Sequence, residues 1–218
     1  MSARLIEDED VVEVGLTMHD TNYSIDFCLH RLTVPRDAKE RETMLTHHCL
    51  KLVRGFSEQH RAKFIGAGIG KPLFDLAPHI CSALWKELDI VAMVLSVYMQ
   101  EHGFMTPVPP AADEQADSVV RKLIMHFGPR HLIRVQIGFR NLVEVDEGGL
   151  IRIVESLDDY RKTVREPTWR SLLKITNEIK TMGTKIAFFS STPQGGGVAL
   201  MRHALIRLFK LLGVDAKW

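Results

Sequence analysis

Apolar positions recur along this chain with a changing period, and each change predicts an element. Residues 11–18 and 23–32 alternate apolar with polar side chains, and His19, Asp20, Thr21 and Asn22 between them have turn chemistry. Together they predict a hairpin. Residues 36–63 carry Leu45, Cys49, Leu52, Val53 and Phe56 at helical spacing, opposite a solvated side rich in Lys, Arg and Glu. A short strand is expected over 64–69, where Gly66, Gly68 and Gly70 permit close backbone contact. Ile80, Leu84 and Leu88 space a helix over 76–88, and the apolar run 90–97 after Asp89 suits a buried strand.

Residues 103–115 break this alternation. Pro107, Pro109 and Pro110, with small and acidic neighbours, have the profile of a surface connection or domain seam. Val119, Val120, Leu123, Ile124 and Phe127 then predict a helix over 116–127, and the alternation over 133–139 predicts a half-buried strand. Val143 and Val145, a turn at 146–149, and Ile151 and Ile153 predict a second hairpin. A short helix follows at Asp158, Asp159 and Tyr160, with Ser156 as its N-cap. Residues 167–182 form a longer helix, with Trp169, Leu172, Leu173, Thr176 and Ile179 on one face and Gly183 as its stop.

The last stretch carries the strongest signal. Ile186 to Phe189 are uninterruptedly apolar, as in a strand covered on both faces. Ser190 to Gln194 lead into Gly195, Gly196 and Gly197, and residues 198–212 read as a helix stopped by Gly213. Strand, glycine loop and helix are the first half of a βαβ unit, in which the free amides and positive dipole end of the helix suit an anion. No acidic residue lies between Ser190 and Val214, whereas Arg202, His203, Arg207 and Lys210 do. A phosphate is therefore the natural ligand for Gly195, Gly196 and Gly197 and the helix start at Val198, with Arg202 placed to face the same anion. The residues leave a second reading open, a tight turn whose glycines serve only helix-to-sheet packing. A nucleotide P-loop is excluded because no lysine follows the glycines, and the dinucleotide fingerprint fails at Leu200. GAGIGK at residues 66–71 fails likewise, since Pro72 stands where Ser or Thr is needed.

The terminal helix is apolar over most of its circumference, leaving a polar stripe at His203, Arg207 and Lys210. It needs a further cover, expected from residues 11–153 or from a second copy of the chain, so self-association as a homodimer is expected.

Composition narrows the functional classes. A formal net charge of +1 over 218 residues argues against nucleic acid as the partner. No apolar run approaches membrane-spanning length and the start lacks a signal-peptide pattern, so a cytoplasmic protein without membrane partners is expected. Cys28, Cys49 and Cys81 are odd in number and scattered, as reduced structural thiols are. His47, His48 and His60 lack metal-ligand spacing and are read as surface residues. His19 with Asp20 is read as a turn and Asp158 with Asp159 as a cap, leaving the catalytic residues unknown. No metal and no cofactor are expected.

The run FFSSTPQGGGVALMRHALIRLFKLLGVDAKW resembles the opening of the catalytic region of fungal trehalose phosphorylases, also called clock-controlled trehalose synthases. These are retaining family-four glycosyltransferases, and LWKELDIV, GFRNLVEVD and SLDDY resemble their N-terminal region. The resemblance covers the chain from about Val11 onward. It implies an α/β protein: a mixed α+β N-terminal region with hairpins and helices, then the first strand-loop-helix of a Rossmann-like lobe of the two-lobed GT-B arrangement. The division expected is an acidic tail over 1–10, an N-terminal domain over 11–154, and the start of the first lobe over 155–218. The second lobe with its catalytic groups is absent, so an excised N-terminal region or shortened gene product is expected.

The implied chemistry is trehalose plus phosphate exchanging with glucose 1-phosphate plus glucose, or transfer from a nucleotide-glucose to glucose. The resemblance implies that the glycine loop, Gly195, Gly196 and Gly197 with Gln194, lies at the phosphate. By itself the chain is expected to bind sugar phosphates weakly and turn nothing over. The alternative is a non-catalytic dimerisation or regulatory module of the parent enzyme.

Overall fold

The computed structural model describes residues 1–6, 10–97, 111–127, 136–146, 150–192 and 196–218. The chain opens with strands β1 (Ser2–Ile6), β2 (Val11–His19) and β3 (Ser24–Thr33), then helix α1 (Ala38–His60) and strand β4 (Gly66–Gly70). Helices α2 (Lys71–Leu76) and α3 (Ile80–Leu88), strand β5 (Val91–Leu95) and helix α4 (Ala112–Ile124) follow. Next come short strands β6 (Gln136–Ile137), β7 (Val143–Glu144) and β8 (Ile151–Arg152), then helices α5 (Leu157–Arg161) and α6 (Glu166–Thr181). Strand β9 (Ile186–Ala187), helix α7 (Gly196–Leu212) and strand β10 (Ala216–Lys217) close the chain. The mixture is of the α/β class, as expected. It divides into two compact units, residues 1–133 with 150–153, and residues 134–149 with 154–218.

In the first unit β1, β2 and β3 form an antiparallel sheet, and β2 pairs with β3 through the expected hairpin. Asp20 closes its turn by accepting from the Asn22 and Tyr23 amides at 2.8 and 2.7 Å, which also lowers its carboxyl pKa. A second sheet pairs β4 parallel to β5 and β8 antiparallel to β5. The sheets meet at Met1, whose amine donates to the Gly68 carbonyl at 2.8 Å while the Gly70 amide donates to the Met1 carbonyl at 2.8 Å. Residues 2–6 are thus a strand and not the start of a solvated acidic tail. Ala3 is fully buried and Ser2 donates to Gln115 Oε1 at 2.8 Å. Residues 7–9 lie outside the described residues.

Helix α1 starts at Ala38, two residues after its expected start, because Asp37 caps it, accepting from the Lys39 and Glu40 amides, and its cap at the other end is Arg61 in the left-handed region. Its Leu45, Cys49, Leu50 and Val53 join Val12, Val14, Leu16 and Met18 of β2 and Ile69, Leu73, Ile80 and Leu84 in one core. The helix expected over 76–88 is α3, which starts four residues later, and the unexpected α2 precedes it. Pro72 opens α2, and Pro78 forces Ala77 out of helical geometry, so α3 starts afresh at Ile80.

Helix α4 packs on glycine. A Cβ added at Gly15 would sit 2.1 Å from the Ala112 carbonyl oxygen, and one at Gly68 2.5 Å from Val119 Cγ1. The GAGIGK run is therefore a strand packing at close quarters. Helix α4 begins at Ala112, four residues before its expected start, because Glu114 reaches back to accept from the Ala111 amide. Residues 103–110 of the Pro-rich connection lie outside the described residues.

The hairpin expected over 143–153 does not form. Strand β7 pairs with β6, whereas Ile151 of β8 lies opposite Met93 of β5 and joins the cluster of Met93, Leu95, Val119 and Leu123. A covered sheet edge offers Ile151 more apolar burial than a lone hairpin can. Of the strand expected over 133–139, residues 133–135 lie outside the described residues, and Phe139 starts a 3-10 turn (Phe139–Asn141) after β6.

In the second unit, α5 carries its expected cap, Ser156 Oγ accepting from the Asp159 amide at 3.2 Å. Helix α6 opens with Pro167 in its first turn and buries Trp169 and Thr176, with Gly183 in the left-handed region beyond it. Among the described residues no helix is long and apolar enough to cross a membrane.

Two outcomes follow from this packing. Gly15→Ala is expected to cost about 2 kcal/mol in urea unfolding, since the new methyl group meets main chain that has no rotamer to yield. The Met1 amine is lowered from 8.0 to about 6, chiefly by burial, so the folded state favours its neutral form. Its contribution is complete above pH 8 and lost as pH falls from 8 towards 6, by about 2–3 kcal/mol. Burial and the charge of His30 lower His48 as well, adding a loss of the same sign. Denaturant midpoints measured from pH 9 to 5.5 check this, and acetylating the amine should remove most of the slope above pH 7.

Candidate functional site

The candidate site rests on a complete βαβ unit. Strands β9 and β10 are parallel, with Ile186 beside Ala216 and Ala187 beside Lys217, and α7 connects them. The Ile186 amide donates to Asp215 O at 2.9 Å and the Phe188 amide to Lys217 O at 2.8 Å. Gly213, at φ +70, reverses the chain after α7 so that β10 can return alongside. The strand is not covered on both faces as its apolar run suggested. Phe189 is 89% exposed, because only one strand and one helix of this unit flank it among the described residues.

The predicted site residues distribute as follows. Gln194 and Gly195 lie outside the described residues. Gly196 and Gly197 open α7, and its first turn carries no acidic residue. A Cβ added at Gly197 would meet nothing within 4 Å, so no neighbour among the described residues demands glycine there. Val198 is exposed. Arg202, one turn further on, lays its guanidinium over the Phe188 ring at 4.3 Å, and its Nη1 is shielded from solvent without an acceptor among the described residues.

The remaining cations of α7 are engaged elsewhere. Arg207 donates to the Val145 carbonyl, and Lys210 pairs with Asp146. Burial holds Arg207 below its ordinary pKa against the opposing pulls of Asp146 and Tyr160, and the same burial raises the Tyr160 phenol. Val145 joins Ala199, Ile206 and Trp218 in one buried cluster. Part of the cover expected for α7 thus comes from residues 143–146, while Val198 and Met201 stay exposed.

A cavity of about 540 Å³ opens at the carboxyl ends of β9 and β10, lined by Phe188, Ser190 and Ser191 on one side and by Arg140, Asn141 and Lys217 on the other. This is the end of a parallel strand pair at which α/β proteins bind ligands. The Trp218 indole forms part of its wall, donating to Ser190 Oγ at 2.7 Å while the His203 ring meets its face edge-on at 5.2 Å. Sequence reasoning missed Arg140 and Asn141. Both adopt positive φ, 58° each, a conformation that no sequence pattern announced. Lys217 was missed because its strand partner was unknown.

The other candidates are structural. Asp20 and Asp159 serve a turn and a helix start, as their spacing indicated. His48 meets the His30 ring edge-on at 5.0 Å and is half-buried, and His60 stacks on Phe56 at 4.1 Å. Among the described residues no three His, Cys, Asp or Glu side chains converge to hold a metal ion.

The family described as "Trehalose phosphorylase-like, N-terminal domain" matches residues 1–133. Over its full length the chain is similar to trehalose phosphorylase of Grifola frondosa, 36% identical over 265 residues and covering 36% of that protein. It is 35% identical to the trehalose phosphorylases of Pleurotus pulmonarius and Pleurotus sajor-caju, covering 36% and 35% of them. The chain thus spans about a third of the length of these curated relatives. No solved structure matches it.

The two arginines of α7 should separate on substitution. Arg207→Met strips the Val145 carbonyl of its donor and is expected to cost about 2 kcal/mol in urea unfolding. Arg202→Met removes a cation–π contact but also a shielded, unpaired donor, and is expected to stay within about 1 kcal/mol of the parent.

Proposed function

Because the chain belongs to the trehalose phosphorylase-like family and carries its N-terminal domain, we propose that it is the N-terminal part of a retaining glucosyltransferase of trehalose metabolism. The reaction is the exchange of trehalose and phosphate with glucose 1-phosphate and glucose, with a nucleotide-glucose as the alternative donor. The enzyme works in the cytoplasm, where the free thiols Cys28, Cys49 and Cys81 stay reduced; burial pushes the Cys49 thiol up to about 12. The loop Gln194, Gly195, Gly196, Gly197 and Val198, with Arg202, holds the phosphoryl group.

The observation that carries this reading is the open space at Gly197. A glycine kept for helix-to-sheet packing has a neighbour where its Cβ would stand, as Gly15 and Gly68 do, and Gly197 has none among the described residues. Unoccupied volume at a helix start without acids suits an incoming oxyanion. In phosphorolysis a phosphate oxygen bonds to the anomeric carbon and the glycosidic oxygen departs as a glucose hydroxyl, taking up a proton. Phosphate enters carrying charge that must be held without water. Main-chain amides fixed at the α7 terminus supply that field with no reorganisation during reaction, and Arg202 adds a full positive charge behind them. Catalysis also draws on groups outside this chain, so the chain alone binds phosphates weakly and turns nothing over.

A second reading, an association module of the parent enzyme, is favoured by the exposed face of β3, which carries Ile25, Phe27 and Leu29.

Titration of a ¹⁵N-labelled sample separates the two. Inorganic phosphate, glucose 1-phosphate and a nucleotide-glucose, each to millimolar concentration, should shift the amides of Gly195 to Val198 and leave α1 to α4 unmoved. Arg202→Met should weaken that response several-fold. Amides of 195–198 that stay still with all three ligands would remove the anion reading.

A further inference from the structure

The first unit leaves an unprotected sheet edge. In the order β1-β2-β3, no strand among the described residues pairs with the outer side of β3. No residue of this ten-residue strand is buried. Ile25, Phe27 and Leu29 are 52, 70 and 43% exposed, a stripe of alternate residues on one face, and Tyr23 just before the strand is 75% exposed. Natural edge strands are blunted by lysine, proline or brevity, and β3 has none of these.

Its main chain is also poised to pair. The Val34 amide donates to Asp10 O at 2.9 Å, and the register Thr33 to Val11, Leu32 to Val12 runs on without a slip to Asp26 and Met18. Even-numbered residues of this stretch therefore direct their N–H and C=O groups at β2, and Phe27, Leu29 and Arg31 direct theirs at the open edge. The Phe27 amide, lacking a strand partner there, is held by its own neighbour, Asp26 Oδ1, at 2.8 Å.

We propose that β3 pairs antiparallel with β3 of a second copy of this chain, about a two-fold axis at Cys28, joining the two sheets into one. The charge pattern selects the partner and the register. Centred on Cys28, the ladder sets Phe27 against the partner's Leu29 and Asp26 against the partner's His30, an acid opposite a base on each side of the axis. Centring on Phe27 sets Asp26 against the partner's Cys28, and centring on Leu29 sets Asp26 against the partner's Leu32. Neither answers the carboxylate. On pairing, the Phe27 amide passes from Asp26 to the carbonyl of the partner's Leu29, which frees the Asp26 carboxylate for the partner's His30. Cys28 then faces its own copy at a non-hydrogen-bonded position, where side chains approach most closely and the Cα separation, about 4.5 Å, lies within disulfide range. The proposal is independent of the anion loop, whose ligand response is read at other residues.

Light scattering under reducing conditions should give twice the chain mass of 24.7 kDa. Phe27→Lys, at an exposed position that leaves the circular dichroism spectrum unchanged, should weaken dimerisation at least about tenfold. Asp26→Lys should weaken it too, and exchanging the pair as Asp26→His with His30→Asp should restore it. Air oxidation with copper phenanthroline, oxygen accepting the two electrons, should link parent chains through Cys28. The link should persist in Cys49→Ser/Cys81→Ser and vanish in Cys28→Ser. A parent that stays monomeric at about 100 μM, or a dimer that survives Phe27→Lys without a Cys28 link, overturns the proposal.

Discussion

The first unit depends on helix α4 lying directly on the backbone of two strands. Gly15 in β2 and Gly68 in β4 have no side chain, and the space is taken by the Ala112 carbonyl and the Val119 methyl group. The same helix supplies Gln115, fully desolvated, to accept from Ser2 at the strand next to β2. One helix thus fixes both sheets from one face, while α1, α2 and α3 share the core on the other. Close-packed interiors transmit any added volume, so the register of β2 against β3 is set by this contact as well as by the hairpin.

Fixing that register has a consequence at the far edge. With the inner residues of β2 committed to α1 and α4, β3 must present its odd-numbered residues on the face α4 does not fully reach, and its main chain on the open side. The apolar character of that face is a product of sheet order. Were β3 central, the same residues would be core.

The second unit is organised by charge. Helix α7 carries four basic residues and no acid. Two of them, Arg207 and Lys210, are answered by the Val145 carbonyl and the Asp146 carboxylate, and His203 meets Trp218. Arg202 stacks on Phe188, and its Nη1, like Arg207 Nε, is shielded and meets no acceptor among the described residues. A cation's donor removed from water and left unpaired is costly, and at Arg202 that imbalance supports the anion site proposed for the helix start.

Local signals carried much of this protein in the sequence: the Asp20 turn, the Ser156 cap, the Gly183 and Gly213 stops, the α1 periodicity and the strand-loop-helix at the end. Each depends on neighbours within a few residues, where main-chain sterics and hydrogen bonding decide the outcome. What sequence could not decide was pairing between distant segments. Ile151 left its expected hairpin for β5, and residues 2–6 became a strand against β2. Arg140, Asn141 and Lys217 came to one cavity with Phe188 and Ser190 only through strand register. Those choices turn on which apolar edge offers the larger burial and which backbones can touch, and both are properties of the assembled fold, invisible along the chain.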